Sequence, residues 1–586
     1  MRRLVALVLW LSLTTACVGL PQSGSVRTDP GEQPVSEGDG AFEFTPSGPR
    51  PGSTPLKIVE DFLLSMQASP QSTAVARKYL TEEGGSGWFP EKATMVYGSR
   101  LVSGTRQSFD VDLDETVQLD DRGSWLGEVG GRNGVTYTLR LVREGGEWRI
   151  SNPPDALIIP RSHFESRFEQ FFAYFFDPTG RVLVPQPTYL PRGDQAATLL
   201  VRRLLRGPDP KLAGVLRTFI PGGTEYVLSV PVSTEGLAEV SLSEEVLQLD
   251  RDDLEMVLAQ LAWTLRQVIG VESMRVTVDG APLDIPGEGS PQRVAAWPEY
   301  DPAVLGATQE LFGIRDGGVV ALSPSAREVA GRFGGAEYAL RDVAVDLGGD
   351  TAAAVTEDGT TAVLVPRGPA DGDRPPPEET EVLLDSGSDL LRPAWDVFGQ
   401  VWLLDRTSQG AVLSVVRDGQ LRTVEAPGLS GQDVTAFDVS RDGSRVVAVV
   451  PGRSGDELRI SRVVRGENGR VRGLTTSDDL PLPQEGVDEI RDIAWRSPAS
   501  LAVLTGPSPE SSQVLLALVD GSVADSTADA MAEIFRQRAE RVVSSPTTGS
   551  VMYLADEDGR LYEQASDGEW VESTVRAELR APGYAG

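Results

Sequence analysis

The spacing of apolar residues changes several times along the chain, and each change predicts a different kind of element. An unbroken apolar run covers Leu4 to Leu13, behind Arg2 and Arg3 and ahead of Thr14-Thr15-Ala16. It is too short for a bilayer core of about 30 Å, which takes about 20 apolar residues as a helix. Basic start, apolar run and small residues together predict a cleaved export signal over residues 1–16. Residues 17–53 show no apolar period and are rich in Gly, Pro and Ser, which predicts a disordered tether. Phe42 and Phe44 within it are expected either to dock on the body or to stay solvated. Order is expected from Thr54-Pro55, a helix cap followed by a proline suited to the first helical position. Leu56, Val59, Phe62, Leu63 and Met66 then recur at helical spacing, and a second short helix is expected around Ala74 to Leu80. After Trp88-Phe89-Pro90 the pattern becomes alternation, giving strands over 95–102, 107–113, 115–119, 124–129, 135–143 and 148–150. Helices followed by antiparallel strands predict an α+β domain over residues 54–160.

A second unit is expected over residues 161–292. It opens on an aromatic segment, HFESRFEQFFAYFF, in which Phe164, Phe168, Phe171, Phe172 and Phe175 fit helical spacing. Phe172 to Phe176 fit equally well as a strand before the turn Asp177-Pro178-Thr179-Gly180. The segment reads as packing between the first and second domains, with His163 at its edge as a structural or surface histidine. Asp194 is placed to cap a helix that Gly207 and Pro208 stop. Strands Tyr226 to Val230 and Leu237 to Leu242, a helix from about Asp252 to Ile269, and a strand Met274 to Gly280 follow. Glu244-Glu245 and Asp250 to Asp253 sit at helix starts, where carboxylates favour the dipole, so capping outweighs a metal or acid–base role.

Residues 293–586 have short apolar strands, eight Asp-Gly pairs after residue 300, and few helix signals. A loose repeat runs RDVAVDLGGDTAAAVTEDG at 341, RPAWDVFGQVWLLDRT at 392, TAFDVSRDGSRVVAVVPG at 435, IRDIAWRSPASLAVLTGP at 490 and RVVSSPTTGSVMYLADEDG at 541. Four-strand units repeating at this period must stack radially to cover their faces and edges, which is a β-propeller. Five units are complete, and 309–333 supplies about three strands, so a sixth blade is expected to borrow a strand to close the ring. Asp442 and Asp558 at strand ends are expected to hold turns. Asp556-Glu557-Asp558-Gly559 lacks the spaced ligands of a calcium loop.

Composition narrows the chemistry. The formal charge is −32, with 54 basic against 86 acidic side chains, so the surface repels phosphate backbones and nucleic acid is excluded as a partner. One cysteine and one histidine exclude a Cys/His zinc site and leave His163 as the sole histidine for any Ser-His-Asp arrangement; no G-x-S-x-G occurs. No cofactor is called for. The single cysteine, Cys17, stands directly after the small residues of the signal, where a lipoprotein signal places its lipidated residue. The third position before it holds Thr14, where such signals favour an aliphatic residue. S-diacylglycerol and N-acyl chains on Cys17 would supply a stable membrane anchor on the extracytoplasmic face, since two or more chains hold where one is marginal.

Three resemblances follow from these segments. The helix-then-strand order of residues 54–160 is similar to the cone-shaped nuclear-transport-factor-like fold. The motifs LLRGP, IPGG, AEVSLSEEV, AQLAWTLRQV and VTVDGAPL look like the GerMN domain, which implies a binding or assembly module without a known reaction. The whole order, with FFDPTGRVLVPQPTYLP and AFDVSRDGSRVVAV, resembles the actinobacterial lipoprotein family LpqB. That resemblance implies a non-enzymatic accessory of a two-component system of the MtrA–MtrB type, acting on the extracellular sensor domain of the histidine kinase in envelope homeostasis and division. The alternative is a peptidoglycan or envelope-glycan binding module, carried by surface Trp and Tyr in the first-domain pocket or the propeller channel. For the anchor, Cys17→Ala is expected to release the protein from the membrane fraction without altering its fold; full retention on fractionation would refute it.

Overall fold

The computed structural model describes residues 44–226, 229–283, 289–304, 306–323, 329, 331, 333, 338–369, 380–484, 487–522, 534–565, 568–573, 575 and 578–586. The export signal, Cys17, Phe42 and nearly all of the tether lie outside the described residues.

The first helix, Pro55–Ser65, starts as its sequence dictates. Thr54 accepts a hydrogen bond from the Lys57 amide and Pro55 occupies the first helical position. Ile58, Val59, Phe62 and Leu63 form its buried face. The expected second helix is a single tight turn, Ala76–Tyr79, followed by a short helix, Glu82–Ser86, that the apolar spacing did not announce. The two glycines in EEGGS break the period there. Strands Thr94–Tyr97 and Ser99–Thr105 are one extended segment broken at Gly98, and Ser108–Asp114 and Thr116–Leu119 are another broken at Glu115. Glu115 has φ of +48°, and it lies beside Gly98, where a side chain would collide with it. The two ladders on either side of this break therefore form one sharply bent sheet, whose buried side chains share a core with the first helix. A strand not foreseen, Leu157–Pro160, pairs in parallel with Thr94–Tyr97. Phe44 stays about 39% exposed, but its backbone pairs with Ser69 in both directions at 3.0 Å.

The aromatic segment splits. Helix Arg161–Arg167 ends at Phe168, and Phe168–Phe176 is a strand, antiparallel to Leu183–Pro191. Of the two readings, helical spacing holds only to Arg167, and the strand expected over Phe172 to Phe176 is found and starts earlier, at Phe168, because residues of this segment must enter different cores. The next helix, Ala196–Leu205, has Gln195 rather than Asp194 at its cap, with no side-chain hydrogen bond there. Of the expected strand 226–230, residues 227–228 lie outside the described residues; Tyr226 bridges Leu242. Leu237–Leu242 and Ser273–Val278 are parallel neighbours joined across helix Arg251–Leu265. Asp250 caps that helix, accepting from the Asp253 amide at 2.9 Å.

Six innermost strands form the propeller ring: Arg580–Tyr584, Leu340–Val345, Ala394–Trp395, Ala436–Val439, Ile490–Ser497 and Arg541–Val543. Each touches the next, and Arg580–Tyr584 touches both Leu340–Val345 and Arg541–Val543, so the ring is closed. Five of the six begin where the sequence repeats begin. The first blade has Leu311–Arg315 and Gly318–Leu322 as its own described strands and takes Arg580–Tyr584 as its inner strand. The borrowed strand is therefore the C-terminal one, clasped further by Gly586 N donating to Val345 O at 2.9 Å. Deleting residues 580–586 exposes the edge of Leu311–Arg315 and uncovers Leu579 and Tyr553. Its Tm is expected to fall by at least about 5 °C, with faster amide exchange at 311–315; an unchanged Tm and exchange pattern would show that the ring closes otherwise.

Candidate functional site

The innermost strands and the segment entering the third blade gather charge around the propeller channel. Asp342, Asp438, Asp492 and Arg541 lie on inner strands, and Arg392 just precedes Ala394–Trp395. Arg541 donates to Asp342. Arg392 Nη2 lies 3.4 Å from Asp492 Oδ1 and donates to the Ile493 carbonyl at 3.1 Å. Asp492 Oδ2 accepts from the Val542 amide at 3.1 Å. Both ion pairs skip a blade: Asp342 belongs to the second and Arg541 to the sixth, Arg392 to the third and Asp492 to the fifth. They are cross-channel ties, and losing one partner would strand a poorly solvated charge.

Asp438 is the exception among the carboxylates. Its one side-chain hydrogen bond among the described residues is from the Val439 amide, at 2.8 Å. Burial pushes its pKa up to about 6, against the opposing pull of Arg392. Arg392 itself is held charged: burial works against it, but Asp492, Asp438 and Asp342 outweigh that. Where the first and second strands of the blades join, Arg441 of the fourth blade reaches Thr547 Oγ1 in the sixth at 2.9 Å, the Ala303 carbonyl at 3.4 Å, and the carbonyl of Ala585. Burial lowers its pKa to about 10. That end of the channel is thus crossed by a guanidinium bonded to the C-terminal segment.

A second constellation lies where the hairpin 168–191 meets the propeller. Arg445, with its side chain wholly buried, donates to the Pro185 carbonyl at 2.7 Å and lies 3.4 Å from Asp442. Asp442 also accepts from the Ser444 amide at 2.8 Å, so it holds its turn as expected and anchors an arginine too. Arg465 pairs with buried Asp396 at 3.2 Å, donates to Gln400 Oε1 at 2.7 Å, and stacks over Phe398 at 4.0 Å. Tyr189 donates to Ser522 Oγ at 2.7 Å, and Gln170 to Asp520 at 3.2 Å. On the hairpin's other flank, Thr188 Oγ1 donates to the Arg122 carbonyl at 2.7 Å, and Trp125, Phe164 and Tyr189 pack ring on ring at 5.2–6.2 Å.

The residues singled out by sequence fall as follows. Cys17 lies outside the described residues. His163 packs edge-on to Phe168 at 6.5 Å, its Nε2 is buried without a partner, and burial with Arg167 lowers its pKa. Glu245 is bonded to Ser243. In the 556–559 turn the sequence reading is corrected: Asp556, not Asp558, holds it, accepting from the Asp558 and Arg560 amides at 3.0 and 2.9 Å. Asp558 instead pairs with Arg560 at 3.1 Å in solvent. Among the described residues no three His, Cys, Asp or Glu side chains are placed to hold a metal ion. Every described Trp and Tyr is buried or half-buried. The channel charges were missed by sequence reasoning. The repeated Arg-Asp of RDVAV and RDIAW was the available signal, since Asp342 and Asp492 occupy the same register in opposite blades.

Comparison with known proteins covers most of the chain. The family described as "Lipoprotein LpqB, N-terminal domain" matches residues 48–165, "Sporulation and spore germination" matches 173–284, and "Lipoprotein LpqB beta-propeller domain" matches 317–585. The lipoprotein LpqB of Thermobifida fusca is 27% identical, covering 89% of this chain and 90% of that one. That of Mycolicibacterium smegmatis is 26% identical, covering 97% of each. Among solved structures, the first GerMN domain of GerM from Bacillus subtilis is 22% identical over 21% of this chain and 92% of its own, with a TM-score of 0.18. TolB from Acinetobacter baumannii is 14% identical over 58% and 86%, with a TM-score of 0.33.

The titration of Asp438 carries a testable sign. Its folded pKa stands above its unfolded value near 3.9, so the native state binds the extra proton between about pH 4 and 6. Stability therefore falls as pH rises through that window, by up to about 3 kcal/mol above it. Asp438→Asn is expected to raise Tm at pH 7.5, with the gain shrinking toward pH 4 in scanning calorimetry. An equal Tm at pH 7.5 would show that the carboxylate is not strained there.

Proposed function

This chain belongs to the LpqB lipoprotein family, and from that membership we propose that it is a lipid-anchored, non-enzymatic accessory on the extracytoplasmic face of the cell membrane. Its partner in this reading is the extracellular sensor domain of an MtrB-type histidine kinase, and its output is envelope homeostasis and division. No described helix is long and apolar enough to cross a bilayer, so in this reading Cys17 is the attachment.

The observation that carries the proposal is the joining of all three folded units through one hairpin. Such a body can carry a contact made on one unit to another without a mobile linker between them. Its single histidine packs against Phe168, and its buried arginines are spent on carbonyls and carboxylates that hold the units in register, which supports a scaffold role. For binding to regulate the kinase, the complex must favour one signalling state over the other, because equal affinity for both shifts nothing.

Tether-free protein is expected to bind the purified sensor domain and to change autophosphorylation of vesicle-embedded kinase by about five-fold or more. Absence of binding together with an unchanged phosphorylation rate would sink the proposal.

A further inference from the structure

Between the outer strands of the third and fourth blades lies a cleft of about 330 Å³, lined by Gln400, Arg417, Asp418, Arg422, Asn468 and Arg470 among others. Its charge runs against that of the chain: three guanidiniums face one carboxylate, in a protein of net charge −32. That carboxylate, Asp418, is 88% exposed and stands 3.5 Å from Arg417 Nε, where water screens it. Arg417 donates to the Asn468 carbonyl at 3.0 Å, and Arg422 donates to the Val471 carbonyl. Carbonyl bonds fix where these groups stand without neutralising them, which leaves Arg417 only the screened Asp418 as counter-charge and Arg422 no ion pair among the described residues. The Arg470 side chain has no hydrogen-bond or ion-pair partner among the described residues, although its own amide is held by Asn468 at 3.1 Å. Gln400, fully buried, is satisfied by Gly469 O at 3.1 Å and by Arg465.

We infer that this cleft binds a small ligand through a phosphate ester, independently of any kinase partner. Three positively charged forks in one cleft repel one another, and an oxyanion is the counter-charge whose geometry matches them two donors at a time. Two of the three are pre-positioned by carbonyls, so little side-chain freedom is lost on binding. The volume sits at the lower end of ligand pockets, about 300–1,000 Å³, which suits a sugar phosphate or a headgroup. The surrounding acidic surface selects for size as well. A polyanion would extend into the negative field, whereas a small ligand lies within a Debye length, about 8 Å, of its arginines. The cleft also borders the second unit: Gly469, with φ of +76°, lies between Arg417 and Thr179 of the hairpin turn.

The test is calorimetric titration of the full-length protein in detergent micelles with glucose 1-phosphate, and in parallel with a short-chain phosphatidylglycerol. Binding of glucose 1-phosphate is expected, weakened about ten-fold by Arg470→Glu and by Arg417→Gln, and unchanged by Lys57→Gln on the distant first helix. Arg470 holds nothing in the fold, so its variant separates loss of binding from loss of structure. Tighter binding of the phospholipid, lost in the same variants, would also support the site and would identify a lipid headgroup as the source of the oxyanion. Failure of both ligands to bind, or equal binding by wild type and Arg470→Glu, overturns the inference.

Discussion

Strand Phe168–Phe176 has to bury its side chains in several cores at once, and the assembly of the molecule depends on that demand. Phe168 joins the core of the first unit, Phe171 meets Ala196 and Leu200, Phe175 and Phe176 enter the second core, and Phe172 reaches the cluster between the fourth and fifth blades. A loss of order in this hairpin would unseat all three at once. Its backbone is held as tightly as its rings. Gln267 accepts from the Phe172 amide at 2.8 Å, and Gln260, fully buried on helix Arg251–Leu265, donates to the Tyr174 carbonyl at 3.0 Å. These two amide side chains replace the hydrogen bonds that a third strand would have given.

The propeller side of this contact adds buried ions to the apolar cluster that receives Phe172. Arg445–Asp442 and Arg465–Asp396 sit almost wholly out of solvent, at a desolvation cost that close pairing roughly offsets. Burial lowers the pKa of Arg445, against the opposing pull of Asp442, and lowers that of Arg462 nearby to about 9. What such pairs add is register. Arg445 fits one position of the Pro185 carbonyl, so the hairpin cannot slide along the blades as it could on a greasy face.

The repetitive part of this architecture was legible in the sequence, because period and turn chemistry are local. The repeats at 341, 392, 435, 490 and 541 mark five inner strands, and the shortage of strands near 309–333 implied the borrowed one. The alternation after residue 94 gave most of the bent sheet, although the expected strand 95–102 is broken at Gly98 and Leu157–Pro160 was not announced. What failed was whatever depended on distant partners. Spacing left the aromatic segment open between a helix and a strand over Phe172 to Phe176, and only the presence of several cores decides for the strand Phe168–Phe176. Asp194 lost its cap to Gln195 because the chain turns one residue later than composition suggests. The channel charges stayed hidden because an Arg-Asp pair on a strand says nothing about what lies across the ring.

The borrowed strand has a consequence for the order in which the molecule can be made. Leu311–Arg315 and Arg580–Tyr584 are neighbours in space but stand at opposite ends of the propeller sequence. A chain emerging from its N-terminus can complete the bent sheet and the hairpin early, yet the first blade must wait with an open edge until the last residues arrive. Closing so long a loop makes this a late and entropically demanding step. During that interval Leu311–Arg315, paired only with Gly318–Leu322, presents a free and largely apolar edge of the kind that recruits strangers. A partially synthesised molecule would therefore be sticky at one defined place, and arrival of the final strand converts it into an inert surface.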